Sequence, residues 1–136
     1  MEGVRATLSK RERLFSLRLI EMLFGQSASR SLAAFPLRVV FLVRDRHDGD
    51  EPVQMLVSVP KKHFHHAVDR NRVKRQVREA YRLRKQMLYE ALPEDKTLLL
   101  AFVWLSDRHL PTSGVATRVG KLLERIVASV SQQKTD

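Results

Sequence analysis

The chain has 136 residues, 43% of them hydrophobic, no cysteine and a formal net charge of +10. That apolar content belongs to a folded chain rather than a disordered basic tail, and the length suits one domain over residues 1–136. The absence of thiols excludes disulfides, thiolate metal sites and cysteine nucleophiles and fits a reducing cytoplasm, while the charge selects polyanions, nucleic acid first and an anionic membrane surface second.

No apolar signal-peptide stretch opens the chain, and its longest apolar run, 98–105, is far shorter than the roughly 20 residues of a membrane span. Ser9 and Glu12 stand at capping-box spacing, and Leu14, Leu17, Ile20, Leu23 and Phe24 recur behind them every three or four residues. This predicts a helix over 10–24, stopped near Gly25. A polar loop follows, with a short extra strand expected near 30–35. The apolar, β-branched run 36–43 predicts a strand, and so does 53–59, where Val53, Met55, Val57 and Val59 alternate with Gln54, Leu56 and Ser58. Asp48-Gly49 between them is a hairpin signal. A basic helix is expected over 67–89 and a strand buried on both faces over 97–105. A last helix, capped by Thr112 or Ser113, carries the stripe Val115, Val119, Leu122, Leu123, Ile126, Val127 and Val130. The final five residues are expected to fray. The order is α-β-β-α-β-α.

Eight of the sixteen residues from Arg70 to Lys85 are Arg or Lys, against one acid, Glu79. On a helix turning about 100° per residue, Val73, Val77, Ala80, Tyr81 and Leu88 share one arc. Arg72, Lys74, Arg75, Arg78, Arg82 and Lys85 take the other, and Arg84 falls on the apolar side and must snorkel. A merely solvated face mixes signs, because like charges at i,i+4 cost about 0.2–0.5 kcal/mol per pair. Lys74–Arg78 and Arg78–Arg82 are two such pairs. A bound polyanion cancels that repulsion and releases counterions. Arg outnumbers Lys six to two, which suits bidentate phosphate contacts and base stacking. Asn71, within the arc, can donate and accept towards a base or a 2′-hydroxyl.

Little else in the sequence carries chemistry. His63, His65 and His66 invite a metal reading that only the His66–Asp69 spacing supports. Protonation-dependent RNA contact or plain loop histidines are the alternatives, with Asp69 as a helix cap or first-turn acid. Asp45, Asp48, Asp50, Glu51, Glu94 and Asp95 are scattered over turns, and glycine-rich phosphate loops are absent. A protein-borne two-metal nuclease needs clustered carboxylates, so no catalytic residue is expected. Phe102 and Trp104 read as core.

The run "DRNRVKRQVREAYR", with Arg70-Asn71-Arg72, Lys74-Arg75 and Arg78, follows "LVSVPKK" and resembles the signature of the protein subunit of bacterial ribonuclease P. The resemblance implies an α/β sandwich around a central mixed sheet, like a domain of a small-subunit ribosomal protein, with a left-handed β-α-β crossover. It implies an accessory subunit of an RNA-based endoribonuclease, one copy per catalytic RNA, that helps remove the 5′ leader of precursor tRNA. Mg2+ is then required by the RNA-containing holoenzyme, with no cofactor on the protein alone. By position, Arg70, Arg72, Arg75 and Arg82 would bind the RNA subunit. Lys62, Asn71, Lys74, Arg78, Phe24, Val39 and Phe41 would line a leader cleft between the first helix and the sheet. The family's first-helix aromatic pair is half met: Phe24 fits the second position, Ile20 holds the first, and Phe15 is a shifted substitute. The segment "HFHHAV" lacks the Gly-Asn of some members. A ribosomal or general RNA-binding protein of similar fold is the main rival. A DNA-binding regulator would need a helix-turn-helix and a dimer surface.

Overall fold

The computed structural model describes residues 10–13, 17–25 and 29–135, the last four as backbone alone. A 3-10 turn, Lys10–Glu12, precedes helix α1, Leu17–Gly25. The single helix expected over 10–24 is therefore corrected. Glu12 is buried, and its Oε2 accepts from both Lys85 Nζ and the Tyr89 hydroxyl at 2.6 Å. Arg13 then forms a parallel β-bridge with Met55. A buried carboxylate must find partners, and that demand outweighs a local cap worth about 1 kcal/mol. Ser9, Leu14 and Phe15 lie outside the described residues.

The sheet holds β1 (Arg30–Ala34), β2 (Leu37–Asp45), β3 (Val53–Ser58) and β4 (Lys96–Trp104), in the order β1-β2-β4-β3. The extra strand expected near 30–35 is β1. β1 pairs with β2 and β2 with β4 in antiparallel fashion, whereas β3 runs parallel to β4. The hairpin expected at Asp48-Gly49 is thus corrected. The turn forms, with Gly49 at φ +85°, but β2 and β3 are separated by β4. A strand apolar on both faces belongs in the sheet interior, and it displaces the locally signalled pairing.

The basic helix expected over 67–89 divides at Lys85 into α2 (Ala67–Arg84) and α3 (Gln86–Ala91), and α4 spans Thr112–Thr135, through the segment expected to fray. On one face of the sheet Val39, Phe41, Met55, Leu100, Phe102 and Trp104 pack beneath α2 and α4. On the other, Val40, Leu42, Leu99 and Ala101 pack against Leu23 of α1, with Ile20 and Leu56 at the margin.

Candidate nucleic-acid interface

Helix α2 is anchored by its apolar arc: Val73, Val77, Ala80 and Tyr81 are buried. Gln76 ties it to the start of α4 by donating to Leu110 O and Thr112 Oγ1, both at 3.2 Å. Arg84 does snorkel. Its Nη1 donates to Ala80 O at 3.1 Å and its side chain lies over Gly120 of α4, where a Cβ would meet its Nε at 3.6 Å. Asp69 sits in the first turn, where its charge complements the helix dipole, and its Oδ1 faces His109 Nε2 at 3.0 Å.

This anchoring presents the cations unequally. Arg72 and Arg75 are exposed and Lys74 is half-buried, and none of the three side chains makes a hydrogen bond or ion pair among the described residues. Arg70 braces the helix entrance, its Nη1 donating to Phe64 O at 2.9 Å and His65 O at 2.8 Å. Those acceptors are neutral, so its charge is unspent. Arg82 forms a two-pronged pair with Glu79, at 2.9 and 2.6 Å. Both groups are exposed enough that the pair is worth only about 0–1 kcal/mol and is easily exchanged for a phosphate. Lys85 departs from the sequence-based arc: it is 2% exposed and committed to Glu12.

The residues expected in the cleft separate into two groups. Lys62 and Asn71 are exposed, and Phe24 on α1 is 50% exposed. Val39 and Phe41, in contrast, are buried beneath α2 and α4, on the sheet face away from α1. Their expected place in the α1 cleft is corrected: successive strand residues point to opposite faces, and the α1 side of β2 carries Val40 and Leu42. Both of these are covered by α1. The open continuation of that face is formed by Leu56, Ser58 and Val103, each half-buried. Beyond α1, a groove of about 410 Å3 is lined by Arg18, Leu19, Met22, Arg44, His47 and Asp50, with Arg44 held to Asp50 at 3.0 Å.

Sequence reasoning missed Arg13. The β-bridge holds its backbone to β3, and its Nε is buried without a hydrogen-bond partner among the described residues. Arg78 of α2 comes near it. Burial, and then the Arg13 charge, lower the pKa of Arg78 from its ordinary value. The sequence hid this, because helical periodicity continues through the segment from Leu14 to Phe24.

The histidines support the entrance to α2. His63 Nδ1 lies 2.6 Å from Asp107 Oδ1, and the Phe64 ring stacks on His109 with centroids 4.5 Å apart. His65 and His66 are exposed, His66 at the cap position with no side-chain cap bond. Phe102 and Trp104 are wholly buried, as core.

The profile of the Ribonuclease P family matches residues 8–126. The ribonuclease P protein component of Porphyromonas gingivalis strain ATCC 33277 is 42% identical over 124 residues, covering 90% of this chain and 88% of its own. That of Chlorobium phaeobacteroides is 39% identical over 97 residues, covering 71% of this chain and 66% of its own. Among solved structures, the RNase P protein from Thermotoga maritima shares the fold, with a TM-score of 0.61 at 24% identity over 84% of this chain and 96% of that one. With the mixed sheet, the unneutralised flank of α2 and these likenesses in agreement, the chain belongs to the Ribonuclease P protein family.

Proposed function

We propose that the chain acts as the RNA-binding protein component of a ribonuclease P ribonucleoprotein, supporting removal of the 5′ leader from precursor tRNA by a catalytic RNA. The observation that carries this is the outer flank of α2. Arg72, Lys74 and Arg75 have no acid among the described residues to neutralise them, on a helix whose other side is fixed in the core. Cations held in this way offset phosphate repulsion between two RNAs and gain counterion-release entropy.

In this reading Arg70, Arg72, Arg75 and Arg82 meet the catalytic RNA. Lys62, Asn71, Lys74, Arg78 and Phe24 meet the leader, joined by Arg13 and by the open sheet face of Leu56, Ser58 and Val103. Catalytic groups and Mg2+ belong to the RNA. Among the described residues no three His, Asp or Glu side chains stand together as a ligand set. The protein serves as one copy per RNA, in the cytoplasm.

The test mixes the protein with a bacterial ribonuclease P RNA at low magnesium and follows precursor tRNA cleavage. Rescue of cleavage is expected. RNA binding without rescue would instead identify a ribosomal or general RNA-binding protein.

A further inference from the structure

At the sheet edge opposite β3, strand β1 and helix α4 bound a groove of about 620 Å3, lined by Arg30, Leu32, Phe41, Arg125 and Ser129 among others. This size falls within the roughly 300–1,000 Å3 of small-molecule sites. Leu32 and Phe41 give it an apolar floor. Its lining carries two guanidinium groups and no carboxylate.

Both guanidiniums are held by the fold. Arg30 Nη1 donates to Ser129 Oγ at 2.7 Å, and Arg125 Nη1 donates to Ala33 O at 3.1 Å. About two turns back along α4, Arg118 Nε donates to Phe35 O at 2.8 Å. Neutral acceptors fix the side chains without cancelling their charge, so part of the entropy cost of ordering them for an anion is already met. The edge strand adds a second kind of reader. Ala33 turns its carbonyl towards α4, and Ser31 has the same parity in the β1–β2 register, which directs its N–H and C=O away from β2.

An apolar floor for a ring, fixed cations for a phosphate and an outward backbone donor and acceptor together match an unpaired nucleotide. We propose that the β1–α4 groove binds one unpaired nucleotide of RNA, making a second RNA contact at the edge opposite the α2 flank. This rests on the RNA-binding function above and extends it: α2 lies over β3 and α4 over β1, so bound RNA spans the helical layer.

The nucleotide comes from either the catalytic RNA or precursor tRNA, and crosslinking separates the two. A benzophenone side chain is placed at Ala128, exposed at the groove, and in a second protein at Glu79, exposed within the cation arc of α2. Each is irradiated with ribonuclease P RNA alone and with precursor tRNA added. Ala128 is expected to crosslink to one unpaired nucleotide, with a yield at least tenfold lower once Arg30→Gln and Arg125→Gln are combined. A crosslink without precursor assigns it to the catalytic RNA, and one seen only with precursor assigns it to the tRNA. Crosslinking from Glu79 but not from Ala128 overturns the groove and leaves the function standing; crosslinking from neither overturns both. Because the arginines also brace β1, Ala128→Glu provides a variant that keeps them. It should weaken RNA affinity at least fivefold relative to Thr117→Glu, the same charge about 16 Å away on the same helix. Equal affinities overturn the proposal.

Discussion

Tyr81 is fully buried, and its hydroxyl has no hydrogen-bond partner among the described residues. An unpaired buried hydroxyl carries a desolvation penalty of about 1–3 kcal/mol, so Tyr81→Phe should be neutral or stabilising in urea unfolding. The same phenol makes a pH signature. Burial, then the Glu12 charge, raise the Tyr81 pKa above its ordinary value, so the folded chain keeps this proton where the unfolded chain loses it. Above about pH 10 the unfolded state therefore binds fewer protons and stability falls with rising pH, while below it the contribution is constant. Tyr81→Phe should reduce the stability lost between pH 9 and 11 by about 1.4 kcal/mol in all; an unchanged loss would place the titrating group elsewhere. Two phenylalanines give a second contrast. Phe41 is 3% exposed and Phe24 50%. Phe41→Ala should cost about 3–5 kcal/mol by leaving a cavity, visible in the melting temperature. Phe24→Ala should change stability by no more than about 0.5 kcal/mol and act instead on precursor tRNA binding. A melting shift from Phe24→Ala as large as that from Phe41→Ala would make Phe24 a packing residue.

At the scale of elements, the Glu12–Lys85 pair joins the segment before α1 to the junction of α2 and α3, with Tyr89 as a third member. Removing one partner strands a buried charge, so Lys85→Met should cost about 3–5 kcal/mol. Glu12→Leu combined with Lys85→Met should cost clearly less than the sum of the single changes, the coupling that a double-mutant cycle in urea unfolding measures. Additive costs would show that the two side chains act separately. The pair also shows where sequence reading reached its limit. Glu12 looks like a capping residue because its local spacing is right, and its partner stands 73 positions away. In β2, the run Leu37, Val39, Val40, Phe41, Leu42 is apolar at both parities, so alternation fixes a strand but not which residues face α1. The same pattern in β4 states that both faces are covered, without saying which helix covers which face. The α2 register was legible because its cations and apolar residues occupy separate arcs. Strand order was not, because a hairpin signal reports only its own neighbourhood.

At the scale of the whole molecule, charge and stability are coupled through α2. The i,i+4 pairs Lys74–Arg78 and Arg78–Arg82 oppose the folded helix, and Arg13 adds to the repulsion felt by Arg78. Anions that bind this flank only when it is folded stabilise the protein by mass action, about 2.7 kcal/mol at a hundred times the dissociation constant. Sulfate should therefore raise the melting temperature by several degrees more than sodium chloride of equal ionic strength, since screening alone lacks the site. The increment should shrink in Arg72→Ala and again when Arg75→Ala is added, whereas Lys121→Ala, an exposed cation on α4, should leave it in place. The same residues set the salt dependence of RNA binding. Removing the cation that neutralises one phosphate should flatten the slope of log K against log salt by about 0.7–0.9, so Arg72→Ala flattens it by about one counterion. A sulfate increment equal in all these variants, with an unchanged slope for Arg72→Ala, would mean that the flank carries charge without using it.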